Sequence, residues 1–340
     1  MNEAIIFPRI DLVRPKAALA GGEVELEGEF LGPVDSAKPT VHCDGDRADL
    51  LMCRPTRLRF RLPEGAITGA VEVRRPGGGG TAIGLRVGRE LSDGLHMVTN
   101  PVLSPSGMIF ATISGPRGKA MPVSVVRVSQ TGQGTPFVSG ILNATGLAMN
   151  PEGELFVSSR AEGNVYKVDA GGEFSLYAGG MGTATGMAFD RHGNLYVGDR
   201  SGTIFKIDPD RRIFVFATLE PSVSAYHLAF SPDGALFVTG PTLSPNEAIW
   251  AIDLQGQAHL WYRGLGRAQG LAFDPEGRLC VAACLHGERG LIRFEMADRP
   301  ELAVAAPNLV GVAFSPQGRT VLATQDRVYD FEEQESAAVE

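Results

Sequence analysis

Apolar and polar positions alternate in short runs along most of the chain. In ATGMAFDRHGNLYVGDRSGTIFKID, from Ala184, short apolar runs are separated by polar, glycine-bearing turns, the pattern of an antiparallel meander. The same pattern, ATGLAMNPEGELFVSSRAEGNVYKVD, begins forty residues earlier at Ala144. Three fainter copies follow: AYHLAFSPDGALFVTGPTLSPNEAIWAID, AQGLAFDPEGRLCVAACLHGERGLIRFE and LVGVAFSPQGRTVLATQDRVYDFEE. A degenerate copy, TNPVLSPSGMIFATISGPRGKAMPVSVVRVS, precedes them. A further strand is read in EFSLYAGG, IFVFATLE, QAHLWYRG and ELAVAAP, which makes four strands per copy. No stretch of these copies carries a helical period, so the chain reads as all-β.

A single four-stranded sheet cannot bury both of its faces. Stacked radially each sheet covers its neighbour, and the small residues at TGLA and TGMA let the first strands crowd an axis. Six copies predict a six-bladed β-propeller over residues 89–340. The last copy runs out after RVYDFEE without an outer strand, and Ile83–Leu91 is the expected strand to close it. Residues 1–88 hold no copy of the unit. Their strand-like pieces EVELEGEF, TVHCDG, LRFRLPE and AVEVRRP predict a small immunoglobulin-like β-sandwich, with PGGGG, from Pro76, as a hairpin tip.

Composition narrows the partners. The chain of 340 residues is 44% hydrophobic and 21% charged, and no apolar run reaches the roughly 18 residues of a membrane span. A formal net charge of −8 without a basic cluster argues against nucleic acid as the partner. The amino end has its acidic residue first, its arginines late and prolines inside the apolar stretch, the wrong order for a secretory signal, so a cytoplasmic location is expected. Cys43, Cys53, Cys280 and Cys284 are too few and too scattered to staple the fold and are expected to be free thiols. Cys280 stands where the parallel copies place Phe156, Tyr196 and Phe237, which makes it a core position.

The unit GLAMNPEGELFVSS followed by GNVYKVD resembles the NHL repeat and the related propellers of the gluconolactonase and senescence-marker-protein family, over about residues 93–332. The first domain resembles an IPT/TIG immunoglobulin-like module, through GGEVELEGEFLGP, VHCDGDRADL and RLPEGAITGAVEV. The first resemblance implies a divalent metal at the channel mouth, held by a Glu, Asn residues and an Asp near the starts of inner strands. Here those starts read Thr99-Asn100, Thr145, Thr185, Tyr226-His227, Gln269 and Val310. Asn100 alone is of the right kind, and a hard cation needs carboxylates among its oxygen ligands. No metal and no cofactor is therefore expected.

The same rim carries other polar groups: Arg160, Asp199, Arg200, His227, His286, Asp326 and Arg327. It also carries the connections SGPRGKAMP, GPTLSPNEA and CLHGERG, read as long loops of a binding face. Arg160 and Arg200 end equivalent strands of adjacent copies, so they read either as a clamp for an anion or as solvated arginines. Asp199 reads as a site carboxylate or as the anchor of its own turn. Tyr226 and His227 either line a pocket or plug the channel. No G-x-S-x-G, H-E-x-x-H or phosphate-loop motif is present, so nucleophilic, zinc-protease and nucleotide chemistry have no support. The residues thus point to a non-catalytic binding or scaffold protein whose rim meets a protein, peptide or small ligand, through Asn100, Arg160, Asp199, Arg200, Tyr226, His227, Gln269 and His286. The alternative is a metal-dependent lactone hydrolase with a degenerate metal site.

Overall fold

The computed structural model describes residues 7–33, 37–75 and 80–331, and among these there is no helix. The chain divides into two compact units. The first comprises Met1–Arg89 with Glu288–Leu291 and Leu302–Asn308, and the second holds the remainder.

The first unit contains β1 (Arg9–Arg14), β2 (Ala17–Ala18), β3 (Glu23–Glu29), β4 (Thr40–Cys43), β5 (Asp46–Arg47), β6 (Asp49–Arg54), β7 (Arg57–Arg61), β8 (Gly69–Arg74) and β9 (Ala82–Val87). One sheet runs β1-β3-β7-β6, and a second has β2, β9, β8, β4 and β5 in that order. Alternation builds the core between them. Val24 and Leu26 of β3 and Leu58 and Phe60 of β7 are buried, and they cluster with Val41 of β4, Val71 and Val73 of β8 and Leu85 of β9. The residues between them face outward, so Glu23, Glu25 and Glu27 stand directly opposite Arg61, Arg59 and Arg57. Strands β8 and β9 pair antiparallel, as a hairpin demands, while the Pro76–Gly79 part of the expected tip lies outside the described residues.

The second unit begins with β10 (Arg89–Ser92), most of which belongs to it. Next come β11 (Val102–Leu103), β12 (Ile109–Thr112), β13 (Val125–Val128) and β14 (Gly134–Val138), a four-stranded meander. A second meander is β15 (Ala144–Met149), β16 (Leu155–Ser159), β17 (Asn164–Val168) and β18 (Phe174–Ala178). A third is β19 (Ala184–Phe189), β20 (Leu195–Asp199), β21 (Thr203–Ile207) and β22 (Ile213–Thr218). A fourth is β23 (His227–Phe230), β24 (Leu236–Thr239), β25 (Glu247–Ile252) and β26 (Ala258–Leu265). Strands β27 (Leu271–Phe273), β28 (Leu279–Leu285), β29 (Glu288–Phe294) and β30 (Pro300–Ala305) follow in the same order. Last come β31 (Leu309–Phe314), β32 (Thr320–Thr324) and β33 (Val328–Phe331), with β10 as the outer neighbour of β33. The first strands touch in sequence, β11 to β15, β19, β23, β27 and β31, and β31 returns to β11.

Two local devices make this arrangement from the repeats. The turns NPEGE, DRHGN, SPDGA, DPEGR and SPQGR use the first side chain to accept from the fifth residue's N–H, as Glu154 N donates to Asn150 Oδ1 at 2.7 Å and Asn194 N to Asp190 Oδ1 at 2.9 Å. The inner-strand glycine lets the next inner strand approach. A Cβ on Gly146 would stand 2.2 Å from the Thr185 carbonyl oxygen, and one on Gly186 at 2.2 Å from that of Tyr226.

The closing strand is β10, shorter and later than the expected Ile83–Leu91. The stretch 83–91 splits at Gly88, and its first half, as β9, takes its place in the sheet of the first unit. Among the loops, CLHGERG is no long connection. Strand β28 runs to Leu285, His286 and Gly287 both adopt positive φ, and β29 starts at Glu288, which is a two-residue hairpin. All four cysteines are free, and Cys280 is buried in β28, where lost hydration pushes its thiol up to about 12.

Candidate functional site

The inner-strand starts and the ends of the second strands share one rim of the second unit. Most of the inner-strand polar groups are already occupied. Asn100 donates from Nδ2 to the Leu271 carbonyl at 2.7 Å and accepts from Val312 N–H at 3.1 Å, which ties two neighbouring inner strands to the start of the first. Thr99 Oγ1 donates to the Thr145 carbonyl at 2.8 Å and Thr145 Oγ1 to that of Asn143 at 2.8 Å. Thr185 Oγ1 donates to the Gly198 carbonyl at 2.7 Å and accepts from Tyr226 N–H at 3.1 Å. The Gln269 main-chain carbonyl accepts from Thr239 Oγ1 at 2.5 Å.

Tyr226 and His227 are both buried. Tyr226 sits in an apolar cluster with Tyr196, Leu228 and Val238, its ring against Gly240 and its hydroxyl on the Glu220 carbonyl. His227 replaces the blade glycine and is 2% exposed; burial without a charged partner holds its imidazole down at about 3, so it is neutral. Its Nδ1 is buried without a hydrogen-bond partner.

Asp199 anchors its own turn. Its Oδ1 accepts from Thr183 N–H at 2.7 Å, Ser201 Oγ donates to Oδ2, and Gly202 N–H reaches its carbonyl at 2.9 Å. At 7% exposure the carboxylate is held inside the turn. His286 is an exposed hairpin residue at φ 51°. Asp326 accepts from Thr324 Oγ1 at 3.1 Å, and Arg327 pairs with Glu90 at 3.1 Å.

Arg160 and Arg200 follow the ends of β16 and β20 in the same way. Each backbone N–H returns to the lead-in of its own inner strand, Arg160 to Asn143 O at 3.3 Å and Arg200 to Thr183 O at 3.2 Å. Their guanidinium groups then lean to opposite neighbours. Arg160 Nη2 donates to the Gly115 carbonyl at 3.0 Å, and Arg200 Nε to the Ser222 carbonyl at 3.2 Å. The pair is therefore not a symmetric clamp; Arg160 is the more buried of the two and the centre of the group. Burial lowers its pKa, with Arg200 and Arg117 adding like-charge repulsion.

Arg117 and Asn143 carry roles that the sequence reading did not assign. Asn143, 1% exposed, donates from Nδ2 to the carbonyls of Gly115 at 2.8 Å and Pro116 at 2.9 Å, and accepts from Gly118 N–H at 2.7 Å. It thereby fixes the loop that carries Arg117 and Lys119. Glu247 was also missed. It is a buried carboxylate that accepts from the N–H groups of Ala268 and Thr242, and burial raises its pKa. The only signals for these residues were their places at the mouths of rim loops. A cavity of about 560 Å³ lies elsewhere in the unit, beside β10, with Glu90, Ser92, Asp93, Ile113, Val126 and Pro136 among its lining.

The donor set does not fit the divalent metal that the resemblance implies. Asn100, Thr145 and Thr185 are each hydrogen-bonded to main chain, Val310 is apolar, and among the described residues no group of three His, Cys, Asp or Glu side chains is placed to hold a metal ion.

The sheets, their order and the cycle of inner strands define a β-propeller-type protein. No family model matches the chain, and no curated protein matches it. Among solved structures it is similar to a gluconolactonase from Xanthomonas campestris, at 16% identity over 71% of this chain and 87% of that one, with a TM-score of 0.58. It is similar to a calcium-binding protein, regucalcin, from Agrobacterium tumefaciens, at 17% identity over 72% and 92%, with a TM-score of 0.56. An auxiliary nutrient binding protein from Bacteroides thetaiotaomicron spans more, 96% of this chain and 98% of its own, at 12% identity and a TM-score of 0.54. At these identities the likeness is one of fold.

Proposed function

We propose that this chain is a non-catalytic binding protein: a six-bladed propeller, from about residue 89 onward, behind an immunoglobulin-like sandwich, with the rim of Arg160 and Arg200 as its ligand face. The observation that carries this reading is the state of the rim donors. The groups at the metal-binding positions of such propellers are tied to main chain in Asn100, Thr145 and Thr185, or are apolar in Val310. The arginines beside them hydrogen-bond to carbonyls, and among the described residues they have no carboxylate partner. A ligand that brings negative charge suits such a surface. The Bacteroides neighbour, a nutrient binding protein by name and alike over nearly the whole chain, supports the same reading.

A lactone hydrolase is the second reading. The names of the gluconolactonase and regucalcin neighbours favour it over a binding role. Against it stands the donor set: among the described residues no three His, Cys, Asp or Glu side chains come together to hold the Lewis-acid metal that would polarise a lactone carbonyl. Elemental analysis of the purified protein, with a sugar-lactone hydrolysis assay before and after chelation, separates the two. The binding reading expects substoichiometric divalent metal and no chelator-sensitive hydrolysis. Stoichiometric metal with hydrolysis lost on chelation would overturn it.

A further inference from the structure

We infer that Arg160, with Arg117 on one side and Arg200 on the other, forms a recognition site for a small oxyanion carrying at least two negative charges, of the phosphate or polycarboxylate class. The inference rests on the rim being the ligand face and names what that face takes.

Three independent features of the structure meet here. The first is charge without a partner. Arg117, Lys119 and Arg200 are exposed and Arg160 is half-buried, yet none of these four has a carboxylate within ion-pair distance among the described residues. The two acids nearest in sequence are engaged elsewhere: Asp199 within its turn, and Glu162 with the Tyr166 hydroxyl at 3.0 Å. In a chain whose formal charge is −8, a cluster of cations left without acids is not a consequence of composition.

The second feature is unmet hydrogen-bonding capacity. Arg160 Nε and the hydroxyl of Ser114, the residue before the Gly115 carbonyl that Arg160 Nη2 holds, are both buried and have no hydrogen-bond partner among the described residues. Ser114 stands in the first meander where Arg160 and Arg200 stand in the next two, so these unmet groups occupy neighbouring equivalent positions on the rim. Buried polar groups are normally paired, and a guanidinium with one N–H used and another idle retains the fork that matches an oxyanion.

The third is preorganisation. The loop that carries Arg117 is held by three hydrogen bonds with the buried Asn143 side chain, two donated by it and one accepted, and by a turn from Lys119 N–H to the Pro116 carbonyl at 2.9 Å. The same Asn143 carbonyl accepts from Arg160 N–H. One buried residue thus holds the loop through its side chain and the central arginine through its main-chain carbonyl, so little ordering is required when an anion arrives. The mutual repulsion of the guanidinium groups is relieved by two or more negative charges and only partly by one, which is why the class is a multiply charged anion.

The test is calorimetric titration in metal-depleted buffer at low ionic strength. Inorganic phosphate and citrate serve as the two probes and acetate as the singly charged control. The inference expects saturable binding of phosphate or citrate at least about tenfold tighter than acetate, weakened about 10- to 100-fold in Arg160→Gln. Arg117→Ala, on an exposed loop, should weaken it as well while leaving the melting temperature in place. Whichever probe binds more tightly names the source of the charge. The absence of saturable binding for both polyanions, or binding unchanged in both variants, would overturn the inference. Neither outcome depends on metal content or lactone hydrolysis, which decide the broader reading separately.

Discussion

On the outer face of the first unit, Arg57, Arg59 and Arg61 stand opposite Glu27, Glu25 and Glu23 across β3 and β7, whereas Arg117, Arg160 and Arg200 of the second unit have no ion-pair partner among the described residues. The strand pairs explain the first case. Alternation sends every second residue of both strands outward, and the register sets opposite charges face to face. The Arg57–Glu27 and Arg61–Glu23 pairs are exposed and each contributes about 0 to 1 kcal/mol, enough to fix register and little more, while Arg59–Glu25 is part-buried. On the rim the arginines leave the ends of strands, where register no longer supplies a partner. They reach backbone carbonyls instead, which leaves their charge for something outside the chain.

Breaking the scaffold of the unpaired group has the largest expected effect. Asn143→Ala removes three hydrogen bonds of a buried side chain and should cost about 3 kcal/mol in urea unfolding. It should also weaken polyanion binding, because the Arg117 loop loses its anchor. A loss under about 0.5 kcal/mol would mean that the loop is held by other contacts.

The unpaired imidazole of His227 sharpens the contrast through pH. Its folded-state pKa of about 3 lies below the unfolded value near 6.5, so the unfolded chain binds the proton first. Its contribution to stability is fully present above about pH 6.5 and falls by about 1.4 kcal/mol per pH unit as pH drops toward 3. Urea unfolding at pH 7, 6 and 5 should show this slope in the wild type and a shallower one in His227→Leu. Equal slopes would refute the buried neutral histidine.

Arg117→Glu turns the rim into the paired kind. A carboxylate beside Arg160 and Arg200 should raise stability by up to about 1 kcal/mol and abolish phosphate or citrate binding. Unchanged binding would separate Arg117 from the site. The smallest effect belongs to Arg59→Gln, which takes one cation from Glu288 and one from Glu25 on the first unit, Glu25 keeping Arg57 at 3.5 Å. A change below about 1 kcal/mol and no change in anion affinity are expected; a weaker anion affinity would show that the two groups of arginines are not independent.

Much of the fold was readable because the meander is written locally. The N/D/S-x-x-G turns, the apolar runs between them and the inner-strand glycines each specify their own geometry, and they recur often enough to expose the period. The identity of the closing strand was less readable, since 82–87 and 89–92 are both strand-like and only pairing decides which sheet each joins. The CLHGERG segment was read as a long loop because His-Gly at positive φ hides a two-residue hairpin inside polar sequence. At the site, Arg160 and Arg200 were visible as equivalent strand ends. Asn100 was legible only as an amide at an inner-strand start, and whether such an amide meets a ligand or staples β27 and β31 depends on partners more than 170 positions away. Arg117 escaped notice because its repeat copy is degenerate, so no equivalent position drew attention to it.

The most direct measurement is anomalous diffraction from crystals grown with selenate, a heavy stand-in for the proposed oxyanion. The account predicts an anomalous peak within hydrogen-bond distance of the Arg160 guanidinium, between Arg117 and Arg200. Peaks confined to the paired arginines of β7, or no peak at Arg160 at a concentration that saturates the solution titration, would contradict it.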